Sequence, residues 1–288
     1  MLIGVNISPA VREGADPLAA ARLAEQLGYD FISLNDHIHG PDARYEAWTL
    51  LSWIAASTSR VRVLPRVLGV PYRNPAIVAK MAESLARLSN GRLILGLGAG
   101  SGEAEFRALG LEARPLAERF DGLIDAIRIV RGVWREPSYT YEGKVYSTTA
   151  AELEPKPAHQ IPIWLGTHGP RGARVTGELA DGWIPSYGYA PPERIAAIRR
   201  MIDEAARARG RTRPLTSVYN VEVHVGDAQT LADADVSGSN TAVARAFTEL
   251  LDLGFDGFNF IPVGSSLEQQ IEKLATEVVP AIRDRAAR

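Results

Sequence analysis

The sequence predicts a (β/α)8 TIM barrel that occupies residues 1–288 as a single domain, with a small hairpin inserted before the fifth strand. Two observations carry this expectation. About eight runs rich in β-branched residues and leucine alternate with amphipathic runs, which is the count such a barrel requires. The units also follow one another singly, with no second half of the kind a doubly wound sheet needs. Gly96-x-Gly98-x-Gly100 does follow a strand, but its spacing is not the G-x-G-x-x-G of a dinucleotide fingerprint, and it falls in the fourth repeat.

Leu2 to Ile7 supplies the first strand. Asp16-Pro17 then caps a helix whose Leu18, Ala21, Leu23, Ala24 and Leu27 share a face, and Gly28 ends it. The second strand, Phe31 to Leu34, runs into the polar tip Asn35-Asp36-His37-Ile38-His39, ahead of a helix around Trp48, Leu51, Trp53 and Ile54. Val61 to Leu68 fits a buried parallel strand. Asn74-Pro75 sets an N-cap before a proline at the first helical position, and Ile77, Val78, Met81, Leu85 and Leu88 fall on one face until Asn90-Gly91 stops the helix. Leu93 to Leu97 is the fourth strand, and it delivers the loop Gly98-Ala99-Gly100-Ser101-Gly102-Glu103 to the same edge as the third. Leu116 to Trp134 is a long amphipathic helix.

Pro137 to Pro157 alternates aromatic and polar residues, the pattern of a hairpin. Ile161 to Leu165 is the fifth strand, followed by Gly166-Thr167-His168-Gly169-Pro170-Arg171 and a helix through Val175 and Leu179. Gly182 to Pro185 is a short sixth strand; Pro191-Pro192-Glu193 starts a helix that runs to Gly210, and Ser217 to Val225 is the seventh strand. Gly226 to Asn240 reads as a polar, mobile connection. Thr241 to Leu253 is helical, Phe255 to Ile261 is the eighth strand, and Ser266 with Gln269 has the form of a capping box on the final helix.

Composition narrows the function. A hydrophobic content of 46% suits a sizeable core, and a net charge of -2 with interspersed signs offers no basic stripe for nucleic acid. The absence of cysteine excludes disulfides, thiolate metal sites and a cysteine nucleophile. No apolar run approaches the ~20 residues that span a bilayer, and a soluble, cytoplasmic protein is expected.

In a barrel the chemistry gathers at the C-terminal strand ends. Asp36-His37 sets an acceptor beside a group that titrates near neutral pH, although a solvated histidine at a capped strand end reads the same way. Gly98 to Glu103 lets a flat ligand or a phosphate approach the main chain, although a purely structural glycine turn reads the same way. Gly166 to Pro170 opens a helix whose N-terminus suits an anion, and a tight turn with proline at the first helical position fits those residues equally well. Trp183, Tyr187 and Tyr189 either wall a pocket or simply pack, and Arg66 and Arg73 meet either an anionic substrate or a surface acid.

These marks occur together in one known family. Asp36-His37, Arg73-Asn74-Pro75-Ala76, Leu88-Ser89-Asn90-Gly91-Arg92, the glycine loop after Leu97, Ile161-Pro162-Ile163-Trp164-Leu165-Gly166 and Ala180-Asp181-Gly182-Trp183 appear in family order over nearly the whole chain. The chain thus resembles the bacterial luciferase-like monooxygenase superfamily, and within it the F420 (deazaflavin)-dependent oxidoreductases. The resemblance implies a cofactor at the barrel mouth, its ring against a bulge with a cis non-prolyl peptide at Arg66-Val67 or, in the alternative register, beside Gly69. It implies that Asp36, Arg66, Val67, Gly98, Ala99 and Gly100 lie near the ring and that Gly166, Thr167, His168 and Gly169 hold the phosphate. His37 and Glu103 are implied as the catalytic pair, moving a proton while a hydride passes between the deazaflavin C5 and a small organic substrate.

Arg66 stands where the family often has a small residue, the tryptophan of the sugar-phosphate enzymes is missing after His37, and their phosphate-binding lysines have no counterpart. A substrate other than glucose 6-phosphate is expected. An FMN-dependent monooxygenase is the alternative within the family, and a non-catalytic flavin-binding protein or a metal-dependent barrel hydrolase, prompted by His37-x-His39 with His168 and Asp256, the alternatives outside it. The resemblance also implies a homodimer through the helices after strands two and three, with Trp48 and Trp53 either there or buried in the monomer.

Overall fold

The computed structural model describes residues 1–226, 234–264 and 266–287. Among the described residues twelve strands appear in chain order: β1 Leu2–Asn6, β2 Phe31–Leu34, β3 Arg62–Pro65, β4 Leu68–Gly69, β5 Leu95–Gly98, β6 Tyr139–Tyr141, β7 Thr148–Ala151, β8 Ile163–Leu165, β9 Gly182–Trp183, β10 Thr216–Val225, β11 Val236–Gly238 and β12 Gly257–Pro262. The α-helices are α1 Pro17–Gln26, α2 Ala47–Ser57, α3 Pro75–Leu88, α4 Glu103–Ala108, α5 Leu116–Arg135, α6 Pro170–Leu179, α7 Pro192–Ala208, α8 Asn240–Leu250, α9 Leu267–Lys273 and α10 Val279–Ala286. The main sheet runs β3-β2-β1-β12-β10-β9-β8-β5-β4 with parallel pairing throughout, and a parallel bridge between Val63 and Leu93 closes it into the expected barrel. β6 and β7 form the inserted antiparallel hairpin. Among the described residues no helix is long and apolar enough to cross a membrane.

The predicted caps form where a short polar side chain precedes a proline. Asp16 accepts from the amides of Leu18 and Ala19, and Asn74 from those of Ala76 and Ile77, satisfying donors that a helix start leaves free. Glu46 does the same for α2, a cap that the sequence does not advertise. The capping box expected at Ser266 and Gln269 does not form: Ser266 stands at the cap position of α9, but its side chain makes no capping bond. Of the connection expected to be mobile, residues 227–233 lie outside the described residues, and the rest includes β11, which pairs with β10.

The third strand is not the continuous run expected from Val61 to Leu68. It ends at Pro65, and Arg66-Val67, joined by a cis peptide bond, bulges before β4 resumes at Leu68. The apolar face of α3 is also rotated from the expected one. Val78, Ala79, Ala82, Leu85 and Ala86 are buried, whereas Ile77 is 59% and Leu88 86% exposed. Alanines let α3 lie close to α5, whose Trp134 indole donates to the Ala79 carbonyl, and this displaces the larger side chains to the flank.

Residues two apart on a strand share a face, so each strand samples the barrel interior in steps. Toward the N-terminal end the interior is apolar, with Phe31, Leu64, Ile94, Trp164, Ile184 and Val218 in one cluster. Two residues further along their strands, Ser33 and Asn220 join Asn259 in a buried amide layer. The Asn259 Nδ2 donates to Ser33 Oγ at 2.9 Å and to Asn220 Oδ1 at 2.8 Å. Two residues further again come Asn35 and Glu222, at the mouth. The barrel interior therefore changes from hydrocarbon to amide to charge along its axis, and reactive groups are confined to one end.

Candidate active site

A cavity of about 1130 Å³ opens at the C-terminal mouth, above the amide layer. One wall is the bulge. Val67 sits between the tips of β5 and β8, and a Cβ on Gly98 would lie 2.6 Å from its Cγ2, and one on Gly166 3.2 Å away. Glycine at both positions therefore lets Val67 seat between the strands and leaves a low, apolar surface. Arg66 turns inward, its Nε donating to Asn6 Oδ1 at 3.3 Å. Burial lowers the Arg66 pKa to about 10, against the pull of Glu222, so the guanidinium stays charged at neutral pH.

Asp36 lines the cavity, yet its oxygens are already engaged. Oδ2 accepts from the Gly69 amide at 3.0 Å and from Arg73 Nη1 at 2.7 Å, and Oδ1 accepts from Arg73 Nη2 at 2.9 Å. Arg73 also pairs with Glu46. Burial pushes the Asp36 carboxyl above its usual range, against the pull of Arg73 and the Gly69 amide. Asp36 thus ties the tip of β2 to the far side of the bulge, and Arg73 meets the buried Asp36 and the partly exposed Glu46 rather than a substrate.

His37 reaches the cavity with a half-exposed side chain, but its acidic neighbour is not Glu103. Glu105 Oε2 stands 3.5 Å from His37 Nδ1, and Glu105 Oε1 accepts from the amides of Ile38 at 2.7 Å and His39 at 2.8 Å. Although burial works to raise it, bonds from the Tyr72 hydroxyl, those two amides and His37 hold the Glu105 carboxyl below its usual range. Glu103 begins α4, and at 100° per residue a side chain two positions on points nearly opposite. Glu105 therefore turns to the barrel while Glu103 faces out, 3.8 Å from Arg107 and 3.7 Å from Arg119. From this loop it is Gly98, Ala99, Gly100 and Ser101 that line the cavity.

The loop after β8 closes the opposite side with Gly166, Thr167, His168 and Gly169. The Thr167 hydroxyl is spent on Thr176 at 2.8 Å, and its carbonyl accepts from the Trp183 indole, which makes Trp183 a packing residue. The His168 Nε2 accepts from the Ser186 amide at 3.4 Å, which assigns the ring proton to Nδ1. Burial, assisted by Arg194, lowers the His168 pKa to about 4, so the ring is neutral at pH 7. Gly169 is the N-cap of α6 and brings no side chain to cap it. On the same side Arg119 is buried, with no hydrogen-bond partner for Nε or Nη1 among the described residues.

Sequence reasoning missed Glu105, Glu222 and Arg119. For Glu105 the only signal is the Glu-x-Glu pair at a helix start, which puts one acid on each face without saying which turns inward. The metal-ligand set does not assemble: His37 and His39 are exposed at the mouth, while Asp256 accepts from the Ser217 amide and hydroxyl at the other end of the barrel. Among the described residues no group of three or more histidines and acids converges to hold a metal.

Comparison with known proteins places this geometry. The luciferase-like monooxygenase family model matches residues 4–277. An F420-dependent glucose-6-phosphate dehydrogenase of Microbacterium testaceum is 34% identical over 200 residues, 66% of this chain and 58% of the relative, so the chain spans little more than half of that protein. The corresponding enzyme of Kineococcus radiotolerans is 28% identical over 90% of each chain. Among solved structures, an F420-dependent secondary alcohol dehydrogenase in complex with an F420-acetone adduct superimposes with a TM-score of 0.88 over 98% of this chain and 99% of its own, at 20% identity, a likeness of fold.

Proposed function

Because the chain belongs to the luciferase-like monooxygenase family, we propose that it is an F420-dependent oxidoreductase acting on a small organic substrate. One observation carries the reading: a single cavity joins the flat wall at Val67, framed by Gly98 and Gly166, to the uncapped start of α6. A planar ring system and a phosphate fit those two features together. When bound, the deazaflavin would donate or accept a hydride at C5.

The chain's own residues position, exclude water and move a proton. Arg66, Val67, Gly98, Ala99 and Gly100 would face the ring; Gly166, Thr167, His168 and Gly169 would hold the phosphate. His37 would exchange a proton with the substrate oxygen, and Glu105, rather than Glu103, would orient the imidazole. Asp36 would act as a positioning residue. No lysine lines the cavity among the described residues, which supports a substrate other than a sugar phosphate bound by lysines.

A homodimer completes the proposal. An apolar groove of about 740 Å³ lies between α2 and α3, lined by Trp48, Ile77, Met81 and Leu88, and Trp53 nearby is 64% exposed. Such a patch on helices supports a second copy as its cover.

Titration with F420 and with FMN, read by the fluorescence of the five tryptophans, tests the function. Micromolar F420 binding with weak FMN binding is expected. Preference for FMN would make the protein a flavin monooxygenase or reductase, and binding of neither would refute the cofactor assignment.

A further inference from the structure

We infer that the cavity contains a second anion site, centred on Arg119, that takes a carboxylate or phosphate of the cofactor's tail beyond the group held at the start of α6. The inference rests on the deazaflavin reading above and sharpens it, because it makes a charged tail part of what the protein recognises.

Arg119 lies in the first turns of α5 and is 7% exposed. Its Nε and Nη1 have no hydrogen-bond partner among the described residues, and Glu103 Oε1 stands 3.7 Å from Nη2, too far for a hydrogen bond. A buried guanidinium with two of its three nitrogens unmet is costly unless a ligand brings the acceptors. Arg119 lines the cavity. Its Cζ is 5.6 Å from the centre of the Phe106 ring, which packs under the glycine loop, 2.7 Å from where a Cβ on Gly100 would be. The guanidinium is therefore held by an aromatic ring and by a loose ion pair with the half-exposed Glu103, which leaves Nε and Nη1 unmet among the described residues.

The helix that carries it adds to the site. α5 is 20 residues long, its N-cap is Pro115 with no side-chain capping bond, and Leu116 and Ala117 from its first turn line the cavity. α6, 10 residues long, begins at Gly169 with no side-chain cap and no acid in its first turn. Arg171 ties the two starts together: Nη1 donates to the Ala117 carbonyl at 2.6 Å and Nη2 to Asp121 at 2.7 Å. Two uncapped helix starts and a buried, unmet guanidinium thus open on one cavity at neighbouring points. A molecule with a single phosphate satisfies only one of them. A deazaflavin whose phosphate continues into a carboxylate-bearing tail satisfies both.

The test compares the wild-type protein with Arg119→Gln, Arg119→Lys and Glu103→Gln in fluorescence titrations against F420 and against the same deazaflavin lacking phosphate and tail. Arg119→Gln is expected to weaken F420 binding about 10- to 100-fold, the worth of a charge-assisted hydrogen bond, while leaving the tail-free compound within about 2-fold. Arg119→Lys should restore part of the loss. Glu103→Gln, an exposed substitution that keeps the fold, removes the competing acid and should tighten F420 alone. Equal losses for both compounds, or none for either, would overturn the site. So would unchanged F420 binding with a raised KM in Arg119→Gln, which would give the anion to the substrate. Failure of the wild-type protein to bind either compound would overturn the deazaflavin reading itself, and the site with it.

Discussion

Substituting Asp36 separates two roles for one carboxylate, a clamp on the bulge or a contact to the ring. Its side chain is buried and takes three hydrogen bonds, two from Arg73 and one from the Gly69 amide. Asp36→Ala would leave that amide unmet and strand one side of a guanidinium that is only 14% exposed. Breaking a buried ion pair costs about 3 to 5 kcal/mol, and because Arg73 keeps Glu46 the loss should fall at about 3 kcal/mol. Urea unfolding with an unchanged slope measures it directly. The double variant Asp36→Ala/Arg73→Ala should lose less than the sum of its parts, since the two side chains act on each other. F420 affinity should fall in step with stability, because Gly69 is the other end of the bulge proposed to face the ring. Undiminished stability with a large loss of F420 affinity would refute the clamp and make Asp36 a direct contact.

Four further outcomes follow from the site and the surface. His37→Asn should lower turnover about 10²- to 10⁴-fold with F420 affinity preserved, and equal loss of cofactor binding would show that the ring rests on the imidazole. Glu105→Ala should raise hydrogen exchange at the Ile38 and His39 amides, whose acceptor it removes, whereas Glu103→Ala should not; the reverse pattern would return Glu103 to the site. The His168 pKa is lowered from 6.5 to about 4, so the unfolded chain takes up a proton that the folded chain refuses, and stability present above pH 6.5 is lost as pH falls toward 4, by about 3 kcal/mol. His168→Asn should flatten that acid limb, and an equal fall of the urea-derived unfolding free energy in both proteins across this window would contradict a neutral native imidazole. Leu88→Glu and Trp53→Asp should convert a dimer to monomers in analytical ultracentrifugation, and an unaltered mass would move the interface elsewhere.

The repeat order was legible because each strand and helix carries its own local signal. Asp16-Pro17 and Asn74-Pro75 fix helix starts through side-chain capping, and the glycines after α1 and α3 take positive φ and end them, Gly28 at 80° and Gly91 at 80°. Such signals lie within a few residues of their effects. The rotation of α3 was not legible in the same way. Large apolar residues suggested a face through Ile77, Val78, Met81, Leu85 and Leu88, while the buried face keeps Val78 and Leu85 and adds alanines whose value is closeness to α5 rather than hydrophobic area. Only the neighbouring helix decides between the two. The same holds for β3, since Val67 fits between β5 and β8 because those strands supply Gly98 and Gly166.

The candidate site divides along this line. Backbone-defined parts were legible: the cis bond falls at Arg66-Val67, and the bulge and the loops at Gly98 and Gly166 line one cavity, because glycine spacing and strand ends are sequence properties. Side-chain roles depend on helix phase and on partners far along the chain. Asp36 is committed to Arg73, 37 residues away, and the carboxylate at His37 arrives from Glu105, whose orientation follows from α4 starting at Glu103 and not one residue later. A start at the next residue would carry every α4 side chain round by 100° and take Glu105 off His37. Gly102 stands at the cap of that start with no side chain to bond it, and a single residue inserted there should detach Glu105 from His37 without disturbing the barrel.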